Sequence, residues 1–290
     1  MSTDMLWLLN LALAIIMYGV ALTIRTEHFK ELAKDPKPIL VGVLSQWILL
    51  PLLTLALCYV IEPVPSMALG MFLVAACPGG NVSNFFSMMA KGNTALSVVL
   101  TSISSVASPF ITPLVFTFWA SLYAPSANLL RSIEIDAWGV IQTITLILVL
   151  PLILGIVTTK VLPKVAKKLE APFKKISIVF FAAIVIAAIL PNREHFANHL
   201  FMIILLVFIH NGTALLGAFG FAKAMRQNTA NTRSITIETG IQNSGLGLVI
   251  IFNFFDGLGG MALITAFWGI WHLFSGMGLS YFWSRKSART

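Results

Sequence analysis

The sequence predicts an all-α integral membrane protein of nine transmembrane helices, and three observations carry that prediction. Hydrophobic residues make up 58% of the 290 and charged residues only 10%, for a mean hydropathy of +0.89. No soluble domain has use for that much apolar surface. Runs of about 20 apolar residues, enough to cross the hydrocarbon core, recur along the whole chain. Of the 19 lysines and arginines, all but Arg131 and Arg193 fall in alternate loops. Basic loops of that kind stay on the cytoplasmic side, which puts the N-terminus outside and the C-terminus in the cytoplasm. The net charge of +8 is therefore assigned to membrane topology, and no nucleic-acid partner is expected. The membrane expected is the cell's inner (plasma) membrane.

Taken in order, the first run, 5–24, has neither a basic start nor a small-residue cleavage site, so it reads as a retained span and not a signal peptide. The second, 39–61, carries a lone Gln46. The third, 67–90, contains Cys77-Pro-Gly-Gly-Asn-Val-Ser-Asn84. There proline removes a backbone donor and two glycines relax the helix just before three polar side chains, so an interrupted helix is expected. The fourth, 94–123, places Ser97 and Thr101 one turn apart on one face, followed by Ser102, Ser104, Ser105, Pro109 and Pro113. Cys58 and Cys77 both lie inside spans and read as small buried hydrophobes, with no disulfide and no metal site.

The fifth run is 138–159. The sixth, 176–190, is short, and Lys174 and Lys175 before it can snorkel toward the interface. The seventh, 200–222, holds His210-Asn211. The eighth, 235–255, places the carboxylate of Glu238 a short way inside an apolar run, directly before Gly240, Gln242, Asn243, Ser244, Gly245 and Gly247. An ionisable side chain in such a place is a functional hypothesis by default, and with Gln242-Asn243-Ser244 adjacent that reading outweighs the bland one of a carboxylate paired with Arg233 near the interface. A straight lipid-facing helix has no use for so many glycines and amides, so a second interruption is expected here. The ninth run, 261–283, carries His272. Loops are short except 123–137 and 160–175.

The two interruptions share a pattern. Gly80-Asn-Val-Ser-Asn84 and Gly240-Ile-Gln-Asn-Ser244 each place a pair of small amide or hydroxyl residues after a glycine. They sit five spans apart, an odd number, so they run in opposite directions. That arrangement predicts an inverted-topology repeat in which two broken helices cross where coupling ions are held.

These residues resemble the bile acid:sodium symporter family. The resemblance rests on Cys77-Pro-Gly-Gly with Ser83-Asn84, Gly92-Asn93 with Ala95-Leu96-Ser97 and Thr101-Ser102, and Glu238 with Gly240 and Gln242-Asn243-Ser244-Gly245. It covers nearly the whole chain, which is similar to a nine-helix bacterial member lacking the first of the ten helices common there. The resemblance implies a core domain of 38–123 and 199–284 beside a panel domain of 5–25 and 138–191. It implies two sodium ions. One would lie among Ser83, Asn84, Ser97, Thr101 and Glu238, the other among Gln46, Glu238, Gln242 and the carbonyls of Thr239 and Ile241. Every one of these positions offers an oxygen, as a hard cation requires. Substrate contacts are expected from Asn81, Asn243, Ser244 and His272. Bile-acid-binding relatives would have asparagine and threonine where this chain has Leu273 and Asn81, which turns the expectation toward a small carboxylate such as pyruvate or pantoate as well as a bile acid.

The function expected is sodium-coupled symport of a small organic anion by alternating access. The alternative is a proton-coupled carrier or exporter of related fold with Glu238 as the titrating group. An intramembrane hydrolase using Ser83 or Ser244 lacks a convincing base, so no enzyme is expected. A channel would call for a ring of repeated filter residues.

Overall fold

The computed structural model describes residues 3–22, 35–80, 82–133, 145–189 and 193–285. Asn81 and the first part of the fifth expected span, 138–144, lie outside the described residues. All regular structure among the described residues is helical, apart from one isolated antiparallel bridge between Gly79 and Gln242. We number the helices α1 (Thr3–Ala21), α2 (Lys37–Ile61), α3 (Pro65–Ala76), α4 (Val82–Met89), α5 (Thr94–Ser121), α6 (Ala124–Ser132), α7 (Leu150–Val161), α8 (Pro163–Ile189), α9 (Arg193–Ala224), α10 (Thr229–Gly240), α11 (Ser244–Phe254) and α12 (Gly259–Arg285).

Four helical segments are long and apolar enough to cross a bilayer: Lys37–Ile61, Thr94–Ser121, Leu200–Ala224 and Gly259–Arg285. Shorter apolar helices occur at Asn10–Gly19, Pro65–Ala76, Leu150–Val161 and Ser244–Phe254. Large apolar side chains cover the outside, among them Leu114, Phe118, Phe201, Leu216 and Phe274, each more than half exposed. Water does not tolerate a surface of this kind, and a bilayer does. The chain is a membrane protein.

Prolines set local geometry twice over. Pro51 and Pro151 cannot donate to the preceding turn and crowd its carbonyl. In both places the helix widens just upstream into a π-helical turn, Ser45–Leu49 before Leu50-Pro51 and Thr145–Val149 before Leu150-Pro151. Cys77, the residue before Pro78, is driven out of the helical region to φ −66°, ψ 153°, as a residue preceding proline generally is. That ends α3.

Two expected loops are largely helical. Residues 160–175, expected as a loop between two apolar runs, mostly belong to the single helix α8, and α6 occupies much of 123–137. Lysine, glutamate and alanine are strong helix formers, so a hydropathy window finds only the apolar half of α8. Packing groups α1 with α7 and α8, where Tyr18 donates to Thr158 at 3.1 Å and its ring lies 4.9 Å from that of Phe173. Elsewhere α3 packs along α12, and α9 along α10. The largest buried side chains include Trp268, Phe72 and Phe86.

Candidate cation and substrate site

The two helix breaks meet. Gly80 N–H donates to the carbonyl of Ile241 at 2.8 Å, and Asn243 N–H donates to the carbonyl of Pro78 at 2.8 Å, the pair of bonds that forms the bridge between Gly79 and Gln242. Each interruption frees backbone groups, and each supplies partners for the other, as buried backbone in an apolar medium requires. Side chains complete the set. Ser104 on α5 accepts from Gly79 N–H at 3.2 Å, and Asn211 on α9 donates to the carbonyl of Gly240 at 2.8 Å. Ser275 on α12 in turn donates to Asn211 at 2.6 Å. Asn243 caps α11, which begins at the crossover, by accepting from Leu246 N–H, and the helices that lead to the site are capped alike at their far ends, α5 by Asn93 accepting from Leu96 N–H and α10 by Asn228 accepting from Asn231 N–H, each satisfying an amide that the helix itself leaves open.

Glu238 lies on α10 two residues before this break and is fully buried. Its carboxylate accepts from the hydroxyls of Ser83 and Ser97, and Thr101 Oγ1 stands 3.0 Å from both of its oxygens. Gln46 Nε2 approaches Oε2 at 3.4 Å. Four elements thus converge: α4, α5, α10 and the π-helical turn of α2. The spacing of Ser97 and Thr101 puts both on the face turned to the carboxylate. Arg233 is used elsewhere, donating to the carbonyl of Ala90 at 2.8 Å and lying over the Trp283 ring.

Among the described residues, the hydrogen-bond partners of the carboxylate, Ser83, Ser97, Thr101 and Gln46, are all neutral. A buried anion held only by neutral donors is far from compensated, and its environment favours a cation. Two more atoms point the same way. Gln46 and Gln242 tie their amide nitrogens back to the chain, Gln46 to the carbonyl of Glu238 at 3.4 Å and Gln242 to that of Thr239 at 2.9 Å. Their carbonyl oxygens, Oε1 in each, are buried without any hydrogen-bond partner. A buried acceptor left open forfeits its hydration. Hydroxyl, amide and carboxylate oxygens with open lone pairs are the donor set of a hard monovalent cation, and sodium fits these residues.

The expected residues come together unevenly. Ser83, Ser97 and Thr101 all reach Glu238, Ser83 and Thr101 also lie 3.4 Å from each other, and Asn84 joins them through Thr101 at 3.4 Å. Of the second set, Gln46, Glu238, Thr239 and Gln242 are linked by the bonds above, and Ser45 lies 2.8 Å from the Thr239 hydroxyl. The Ile241 carbonyl already accepts from Gly80, so one of its two lone pairs remains. Among the residues expected to touch substrate, Asn243 caps α11 and Ser244 Oγ is buried without a partner. His272 is buried on α12 with Nδ1 unpartnered. No hydrogen bond among the described residues joins these three. Ser104 and Asn211, which brace the crossover, were not anticipated in these roles. Pro51, six residues after Ser45, was the sequence signal for the π turn that presents Gln46.

Comparison with known proteins gives the family of the chain. The pattern of the Sodium Bile acid symporter family matches residues 10–199. An uncharacterized sodium-dependent transporter of Bacillus subtilis is 33% identical over 278 residues, 96% of this chain and 83% of that protein. A probable chloroplastic sodium/metabolite cotransporter of Arabidopsis thaliana is 27% identical over 277 residues, 96% of this chain and 67% of that protein. The P3 protein of Bos taurus is 27% identical over 228 residues, 79% of this chain and 47% of that protein.

Proposed function

The chain belongs to the sodium bile acid symporter family, and from that premise we propose that it couples the inward movement of sodium to uptake of a small organic anion by alternating access. The Bacillus subtilis and Arabidopsis thaliana relatives are named as a sodium-dependent transporter and a sodium/metabolite cotransporter and not as enzymes, and sodium use follows from the family. The observation that carries the finer reading is the cage around Glu238. Two cations share that carboxylate in our reading, one among Ser83, Asn84, Ser97, Thr101 and Glu238 and one among Gln46, Glu238, Gln242 and the carbonyls of Thr239 and Ile241. Two positive charges against one negative leave a net positive site, which favours an anion nearby. The same neutral hydroxyls and open amide oxygens favour sodium over a proton-coupled reading, because a titrating carboxylate has no need of them.

In this proposal the chain crosses the membrane nine times, with the N-terminus outside and the C-terminus in the cytoplasm of the cell's plasma membrane. The segments α3–α4 and α10–α11 are the corresponding broken helices of an inverted repeat. Their antiparallel bridge at Gly79 and Gln242 supports that reading. The core comprises 38–123 and 199–284 and moves against a panel of 5–25 and 138–191. The panel grouping is supported by the packing of α1 on α7 and α8. The anion binds beside the crossover, where Asn243, Ser244 and His272 supply polar groups and Leu273 makes one wall apolar.

Saturable uptake into proteoliposomes tests the proposal. Uptake of a small carboxylate is expected to require an inward sodium gradient, and a matching potassium gradient is expected to be inert. Equal uptake under a proton gradient alone would overturn it. A thermal-shift screen of organic anions with and without sodium identifies the substrate, since a ligand of the folded state raises its apparent stability by mass action.

A further inference from the structure

The start of α8 is out of keeping with the rest of the fold. At 27 residues the helix is about 40 Å long, more than the roughly 30 Å of hydrocarbon it has to cross. The helix starts on its basic side: its first half carries Lys164, Lys167, Lys168 and Lys175, with Lys160 in the last turn of α7 just before it. All five lysines are exposed.

Around the helix axis this segment has three faces. At 100° per residue, Lys164, Lys168 and Lys175 fall within roughly 40° of one another, with Lys167 beside them. On the opposite side Ala166 is buried, and Phe173 lies against the Tyr18 ring. Between the two runs an exposed apolar strip of Val165 and Ile176, 43% and 40% exposed, continued by Val161 and Leu162 at the turn. A helix that is packed on one side and carries an apolar strip next to a basic one is built for the boundary between acyl chains and headgroups. Lysine stems lie along apolar surface there while their ammonium groups reach outward.

We propose that this surface binds anionic phospholipid headgroups of the phosphatidylglycerol kind, with the ammonium groups on the phosphates and the Val165–Ile176 strip against the acyl chains. The site is separate from the cation and substrate site and needs only the membrane embedding of the chain. Clustered lysines next to a span attract the negative leaflet through a field that salt screens within a Debye length. Since α8 packs on α1, bound lipid would stabilise the pair together.

The test uses the full-length protein in neutral detergent, titrated with phosphatidylglycerol, phosphatidylcholine or inorganic phosphate, all in potassium salts. Thermal unfolding is the readout. Phosphatidylglycerol is expected to raise the midpoint and phosphatidylcholine to leave it unchanged. Raising potassium chloride to about 0.5 M should remove most of the effect by screening. In the combined variant Lys164→Gln, Lys167→Gln, Lys168→Gln, Lys175→Gln, the phosphatidylglycerol concentration needed should rise about tenfold or more, while Lys223→Gln, in the last turn of α9, should titrate like the wild type. An equal response to both lipids, a salt-insensitive response or an unchanged titration in the combined variant overturns the proposal. So does a response to inorganic phosphate equal to that to the lipid. Should the combined variant not fold, the salt and lipid arms on the unaltered protein decide alone.

Discussion

Gln46 on α2 and Glu238 on α10 meet side chain to side chain at 3.4 Å across 192 residues of sequence. The contact exists because a π-helical turn rotates Gln46 inward and a helix break two residues on leaves Glu238 among hydroxyls. Gln46 offers its nitrogen to the carboxylate and leaves its oxygen open. The two residues therefore form one polar surface, and sodium binding should depend on both.

Glu238→Gln keeps the size of the side chain and removes the charge. Sodium affinity, read from the sodium dependence of thermal unfolding, should fall at least tenfold, on the order of 1.4 kcal/mol. Gln46→Leu should weaken sodium binding in the same direction without removing the charge. An unchanged sodium titration in Glu238→Gln would place the cation elsewhere.

Gly79→Ala tests how tightly the crossover is built. A methyl group on Gly79 would stand 2.6 Å from Glu238 Oε2 and 3.3 Å from Gln46 Nε2, inside van der Waals contact. The carboxylate has to shift within its hydroxyl cage, so the variant should stay folded yet show weakened sodium-dependent stabilisation. Gly220→Ala on α9, where an added methyl meets nothing within 4 Å, should behave like the unaltered protein. A normal sodium response in Gly79→Ala would show that the cage is loose.

Asn211→Ala removes the donor held by the Gly240 carbonyl. A buried carbonyl without its partner costs about 1 to 3 kcal/mol, which should appear as a lowered unfolding midpoint. Asn211→Asp should be worse, because it sets an oxygen against that carbonyl. Ser275→Ala, one bond further out, should cost less than either. A ranking with Ser275→Ala as the most damaging would show that Asn211 is not the brace of the break.

Asn10 on α1 and Asn253 on α11 exchange amide hydrogen bonds at 3.2 and 2.8 Å. If core and panel move against each other, this pair has to part during the cycle. Cys58 and Cys77 are both buried, so a short thiol cross-linker applied to the Asn10→Cys, Asn253→Cys variant reports on that pair. Cross-linking should stop uptake while leaving sodium-dependent stabilisation in place, and a cleavable linker should restore uptake on reduction. Undiminished uptake in the linked protein would rule out relative motion at this end.

Selectivity should follow Leu273. A polar group of a ligand facing leucine lacks a partner and loses about 1 to 3 kcal/mol, so taurocholate should bind poorly beside pyruvate or pantoate. Because the crossover backbone serves both ion and anion, each should strengthen the other's binding by the same factor. Binding of all three acids in sodium and in potassium measures this. Tight sodium-dependent binding of taurocholate with no response to either small acid would show that Leu273 does not set the pocket.

Membrane embedding, the two helix interruptions and the identity of the buried carboxylate were legible in the sequence because each is a local property. Hydropathy is a sum over neighbours, Cys77-Pro-Gly-Gly ends a helix through the backbone geometry of its own residues, and Glu238 stands out against the apolar residues around it. The spacing of Ser97 and Thr101 likewise fixed a shared face before anything was known of what that face meets. Only the tertiary structure decided the rest. It joined Gly80 to Ile241 and Pro78 to Asn243, gave Asn211 and Ser104 to the freed backbone, and set Gln46 against Glu238 with its oxygen open. It also made one helix of 163–189, joining most of the loop expected at 160–175 to the span expected at 176–190. The physical reason is that satisfying polar groups in an apolar interior is a pairwise condition between distant segments. A local pattern can announce a freed carbonyl or a buried charge, but which side chain answers it depends on how the helices pack.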